Sequence, residues 1–114
     1  MTEEIDPNKA IDFLYKNAEK YAESRAHRIY LEEFRKSRKA LLMKSALSSG
    51  AAKTSAAAEM EAYASEEYIE FLSGLEEAVK KEEELRWALI AAQARIDVWR
   101  SMEASNRVVD KAVL

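Results

Sequence analysis

The chain has 114 residues, with no cysteine, two glycines, one proline and a formal net charge of −3. This length suits one domain with a modest core, and the absence of cysteine excludes disulfide bonds and thiol chemistry. Ala, Glu, Lys, Leu and Arg dominate the composition, as is typical of long helices and coiled coils. We therefore predict a single all-α domain over residues 1–114.

A long helix is predicted over residues 7–47. Asp6 is a favoured N-cap residue and Pro7 suits the first helical position, while Gly50 can adopt the left-handed conformation that ends a helix. Apolar and small residues recur in this helix with a mean step of 30/8 = 3.75 positions, which is wider than the 3.5 of a heptad. This predicted stripe comprises Ile11, Leu14, Ala18, Ala22, Ala26, Tyr30, Phe34, Ser37 and Leu41.

A turn and a short helix are predicted over residues 48–64, where Ser, Gly and Ala are concentrated. Ser65 is the next predicted N-cap, followed by Glu66 and Glu67 in the first turn, where the helix dipole favours acids. A second long helix is predicted over residues 66–111. Two long helices joined by a short connecting helix predict an antiparallel helical hairpin that resembles a coiled coil.

The second long helix carries apolar residues on two faces. One stripe is predicted at Ile69, Leu72, Leu75 and Val79, and continues through Leu85, Leu89, Ala92, Ile96 and Trp99. The second is predicted at Trp87, Ile90, Ala94, Val98 and Met102. Two apolar faces exceed what one helical partner covers. We therefore predict a homo-oligomer, most simply a dimer, although a monomer whose first and short helices cover both stripes stays open. The predicted oligomer interface consists of Trp87, Leu89, Ile90, Ile96, Val98 and Trp99.

Charge is distributed unevenly along the chain. Residues 25–53 carry eight basic and two acidic side chains, a net charge of +6, whereas residues 54–85 carry two basic and ten acidic ones, a net charge of −8. Five basic residues fall within one arc of the first helix: Arg25, Arg28, Arg35, Lys36 and Lys39. This arc is predicted either to pair with acids of the second long helix or to bind a nucleic-acid backbone, and we favour internal pairing.

No catalytic or cofactor-binding motif is recognisable. A helical-bundle carboxylate–histidine metal site needs two Glu-x-x-His pairs, which the single histidine, His27, could supply only by dimerisation, and its spacing from Glu23 is wrong for such a pair. No phosphate-binding glycine loop or catalytic triad pattern occurs. We expect a protein without enzymatic activity, cofactor or metal. Gln93 and Asn106 are predicted to be buried polar residues that contribute to helix pairing.

Four segments resemble small helical proteins encoded by tailed bacteriophages and prophages: "RIYLEEFRKSRKALLMK", "KTSAAAEMEAYAS", "EEELRWALIAAQARIDVWR" and "ASNRVVDKA". The resemblance covers about residues 10–112. It implies a phage accessory protein that acts in DNA recombination or replication, or that inhibits a host-defence factor, and it carries over no catalytic residue.

The sequence therefore leaves three hypotheses about the function open. The leading hypothesis is an interaction protein that offers helical faces to a protein partner. The alternatives are a nucleic-acid-binding accessory that uses the basic arc and a purely structural oligomerisation module. The acidic, polar start "MTEEIDPNKA" is not a signal peptide, and no apolar run could span a bilayer. We expect a protein of the cytoplasm, the host's cytoplasm if the chain is phage-encoded, without membrane contact.

Overall fold

The structure, a computed structural model, describes residues 4–113, and 92% of them are helical. The first helix, α1, is Pro7–Ser49, the short helix α2 is Ser55–Ala64, and the last helix, α3, is Glu66–Val113. No strand occurs within this described part of the chain. The predicted class, an antiparallel hairpin of two long helices with a short connecting helix, is confirmed.

Side-chain and glycine caps set the helix boundaries. Asp6 Oδ1 accepts a hydrogen bond from the Asn8 amide at 2.9 Å, which caps α1 as predicted. Gly50, with φ of +81°, follows the end of α1, and its amide donates to the Leu47 carbonyl at 3.3 Å. Thr54 caps α2, and Ser65 caps α3 by accepting a hydrogen bond from the Tyr68 amide at 3.2 Å.

The chain divides into two compact units. The terminal unit comprises Met1–Ala22 with Glu83–Leu114, and the central unit comprises Glu23–Glu82. In the central unit, Arg28 of α1 contacts Glu82 of α3, and Phe34 contacts Phe71. The later residue of α1 thus meets the earlier residue of α3, so the two helices run antiparallel. In the terminal unit, Ala10 of α1 forms a buried cluster with Ala92 and Ile96 of α3, and Leu14 packs against it.

The buried face of α3 has heptad spacing. Buried and half-buried residues alternate in steps of three and four, a mean of 35/10 = 3.5 positions. They are Tyr68, Phe71, Leu75, Ala78, Glu82, Leu85, Leu89, Ala92, Ile96, Trp99 and Glu103. The predicted second half of the first stripe therefore lies on the buried face. In its first half only Leu75 lies on this face, because Ile69, Leu72 and Val79 are exposed.

The buried face of α1 also differs from the predicted stripe. Its positions through residue 31 have a mean step of 21/6 = 3.5, not 3.75, and are Ala10, Leu14, Asn17, Tyr21, Ser24, Arg28 and Leu31. Polar residues occupy three of these seven positions, so the spacing of apolar residues alone does not predict this face correctly. As a result Ile11, Tyr30 and Leu41, which were predicted to be inside, are largely exposed.

The core consists mainly of small side chains. The described buried apolar residues are Ala10, Ala52, Ala58, Ala62, Tyr68, Ala78, Ala92 and Ile96. Alanine lets helix backbones approach closely but buries little apolar area. Because burial stabilises the fold by about 25 cal/mol per Å² of apolar surface, each alanine contributes little. Much of the large apolar surface of both long helices therefore stays exposed, and this surface is where functional contacts are to be sought.

Candidate functional site

Arg28, one of the predicted binding residues, is engaged inside the central unit. Its Nε donates to Glu82 Oε2 at 2.5 Å and its Nη2 donates to Glu82 Oε1 at 2.9 Å, while Nη1 contacts Glu32 at 3.0 Å. The Arg28 side chain is only 22% exposed and that of Glu82 only 7%. The hydrogen bonds to Glu82 are the largest cause that raises the pKa of Arg28, and the hydrogen bond to Glu32 is the second. The guanidinium is thus held by acids of its own chain and is not presented to a ligand.

Lys39 is held by the short helix. Its Nζ lies 3.5 Å from a carboxylate oxygen of Glu59 and 4.9 Å from the centre of the Tyr63 ring. A hydrogen bond to the Tyr63 side chain is the main cause that raises the pKa of Lys39, and the Glu59 charge adds to it. Lys39 therefore stays protonated, and its acidic partner belongs to α2 rather than to the second long helix, where pairing was predicted.

Arg25, Arg35 and Lys36 are exposed on α1. None of the three forms an ion pair with any residue in the range 4–113. The five residues of the predicted basic arc therefore separate into two that are held by acids of the central unit and three that are open to solvent.

Two of the open cations share a cavity with Lys39. Arg35, Lys36 and Lys39 line a concavity of about 470 Å³ together with Tyr63 and Tyr68. The tyrosine rings are in edge contact, with 5.2 Å between their centres. We call this concavity the basic pocket; its lining contains no carboxylate among the described residues. The periodicity analysis identified the three cations but missed the tyrosines, because α2 and the start of α3 reach them only through tertiary packing.

A neighbouring concavity of the central unit has a different charge. Arg38 lines it with Glu67 and Glu70, beside the aromatic side chains of Phe34 and Phe71. One cation faces two acids there, so an anion gains little net attraction. Of these two concavities, the basic pocket is the one with an excess of positive charge.

The predicted oligomer interface separates into two sets. Ile96 is only 8% exposed and lies in the intramolecular cluster with Ala10 and Ala92, and Leu89 and Trp99 are half-buried on the same face of α3. Trp87, at 59% exposed, Ile90 and Val98 remain open to solvent. The second predicted stripe of α3 is thus uncovered in the single chain.

The terminal unit has a groove with a small-residue floor. Ala10, Ala88, Ala91 and Ala92 line about 470 Å³ beside Phe13, with charged residues that include Lys9 and Arg95 among the lining. The polar residues Gln93 and Asn106 are exposed rather than buried as predicted, and Gln93 Nε2 donates to Asp97 at 3.2 Å. Their side chains contribute no polar group to the buried face of α3.

The described residues contain no group of three or more His, Cys, Asp or Glu side chains arranged to hold a metal ion. Within residues 4–113, none of the helices combines the length and the apolar character that a bilayer span requires. Comparison of the chain with protein-family models, with curated proteins and with solved structures finds no match.

Proposed function

We propose that this chain is a non-enzymatic interaction protein that binds helical protein surfaces, a second copy of itself first, through an exposed face of α3. One observation carries the proposal. Trp87, Ile90, Val98 and Met102 lie on one side of α3 in the terminal unit, and each is more than two-fifths exposed. We call these four residues the open face.

The open face has the spacing and the composition of a helix-binding surface. With Ala94, its residues follow one another in steps of 3, 4, 4 and 4, so they form a stripe along one side of the helix. A Trp and three large aliphatic side chains provide area, while the exposed small residues Ala91 and Ala94 allow a partner helix to approach. Because a two-fold axis pairs a patch with itself, a single apolar stripe suffices for a dimer.

The resemblance to small phage proteins supplies the proposed setting. In this setting the chain would bind another protein, either as an accessory of phage recombination or replication or as an inhibitor of a host-defence factor, and neither role requires a catalytic group of its own. The open face would then be shared between self-association and a partner, in the cytoplasm of an infected cell. This setting rests on the resemblance, whereas the binding surface rests on exposure and spacing.

The test compares two pairs of apolar-to-acid substitutions in α3. Ile90→Glu with Val98→Glu places charges on the open face, and Ile69→Glu with Val79→Glu does the same at exposed apolar positions of the central unit. Sedimentation of the unmodified protein at micromolar concentration should give a dimer mass. The open-face pair should be monomeric with unchanged helical circular dichroism, and the control pair should stay dimeric.

A monomeric unmodified protein, or equal dissociation of the two variant pairs, would contradict the proposed interface. Pull-down from host lysate with the unmodified protein and the open-face pair then separates two roles. A protein captured by the first and lost from the second identifies a partner, whereas a dimer that captures nothing indicates a purely structural module.

A further inference from the structure

We propose that the basic pocket of the central unit binds a phosphate group carried by a small ligand. The pocket brings together Arg35, Lys36 and Lys39 of α1 with Tyr63 of α2 and Tyr68 of α3. This function is separate from protein binding at the open face, since its residues all belong to the central unit.

The electrostatics of the lining favour an anion. Three cations face the cavity, and among the described residues one acid contacts them: a carboxylate oxygen of Glu59 lies 3.5 Å from Lys39 Nζ. The local sum is therefore +3 − 1 = +2. Arg35 and Lys36 have no acidic partner within residues 4–113, so they can bind a ligand without first breaking an ion pair. This local positive charge balances the negative charge of a phosphate monoester, which Arg35 and Lys36 can contact directly.

The tyrosines add directional hydrogen bonding. Tyr63 lines the pocket beside Lys39, whose Nζ lies 4.9 Å from the centre of the Tyr63 ring. The phenol hydroxyl of Tyr63 can donate a hydrogen bond to a phosphate oxygen. Arg35 offers the planar donor fork that fits two phosphate oxygens at once, which makes arginine a frequent phosphate ligand.

The size and the surroundings of the pocket favour a small ligand over a long strand. A volume of about 470 Å³ lies within the range of about 300 to 1,000 Å³ that is usual for small-molecule pockets. Residues 54–85 have a net charge of −8, and Glu67 and Glu70 line the neighbouring concavity. A polyanion extending beyond the pocket would meet this acidic surface, whereas a single phosphate group would not.

The experiment titrates the protein with three probes at low ionic strength and follows amide chemical shifts by NMR: inorganic phosphate, AMP and a short oligothymidylate. Arg35→Ala with Lys36→Ala removes the two free cations. Arg25→Ala with Lys44→Ala removes the same charge from exposed positions of α1 that do not line the pocket. Tyr63→Phe removes only the phenol hydroxyl.

AMP should shift amides of residues that line the pocket. Affinity should fall roughly tenfold or more in the pocket pair and less than about twofold in the control pair, because charge-assisted hydrogen bonds are lost only in the first. Tyr63→Phe should weaken binding with unchanged circular dichroism. Tighter binding of the oligothymidylate with the same dependence on Arg35 and Lys36 would assign the phosphate to a strand. No binding of any probe, or equal weakening by the pocket and control pairs, would overturn the proposal.

Discussion

Arg28 of α1 and Glu82 of α3 form a two-point ion pair on the buried faces of the central unit, with contacts of 2.5 and 2.9 Å. Both occupy positions of the heptad pattern where a coiled coil usually places apolar side chains. A charge pair at such positions fixes the register of two helices, because a shifted register would leave a carboxylate buried without a partner.

Removing one charge of this pair should destabilise the protein. Glu82→Gln leaves the Arg28 guanidinium facing a neutral amide, so we expect a lower denaturation midpoint by circular dichroism. The charge-swapped double variant Arg28→Glu with Glu82→Arg should recover part of the loss. Lys16→Gln, which breaks the exposed pair with Asp12, is the control and should change stability by no more than the roughly 0.2 to 1 kcal/mol of an exposed pair. If Glu82→Gln lowers the stability by no more than Lys16→Gln does, the Arg28–Glu82 pair does not hold α1 and α3 together.

Enlarging a small buried residue of α2 should be costly. Ala58 is 0% exposed, so Ala58→Leu must displace neighbouring atoms, and we expect a loss of about 1 to 3 kcal/mol in the free energy of unfolding. Ala56→Leu, at an exposed position of the same helix, should change it by less than about 0.5 kcal/mol. Urea unfolding followed by circular dichroism measures both. Equal values would show that α2 does not pack through Ala58.

Ile96 and Ile90 should respond differently to protein concentration. Ile96→Ala opens a cavity inside the terminal unit, so we expect a loss of about 2 to 5 kcal/mol at every concentration. Ile90→Ala removes area from the open face, so its effect on the unfolding midpoint should appear only where the protein is dimeric. Thermal unfolding at two widely separated concentrations tests this. A concentration-dependent effect of Ile96→Ala alone would assign that residue to the dimer contact instead.

Lys39 should make stability depend on pH only in the alkaline range. Its pKa is raised above the usual 10.5, so its contribution is fully present below pH 10.5 and is lost as the pH rises through the folded-state value. The difference in unfolding midpoint between the unmodified protein and Lys39→Met should be constant from pH 7 to about 9.5 and should shrink above about pH 10.5. Lys36→Met, at an open position, provides the comparison. A difference that persists undiminished to the highest pH would show that it does not come from the ammonium charge.

The helix boundaries were largely determined by local sequence. Asp6 with Pro7, Gly50 and Ser65 act through hydrogen bonds and backbone angles within a few residues, so their effects can be predicted without knowledge of distant contacts. The class of fold followed from the same signals, because long uninterrupted helices joined by short connections pack against each other.

Tertiary structure alone decided which faces are buried and which charges are free. Apolar spacing misplaced the face of α1, since Ser24 is buried on it and Arg28 is half-buried on it, where Glu82 binds the guanidinium. Charge spacing grouped Arg28 with Arg35, although one is held by a carboxylate far away in the chain and the other lines the basic pocket. A residue's own sequence neighbours set its backbone conformation, but its burial and its charge partners depend on groups that only folding brings within a few ångströms.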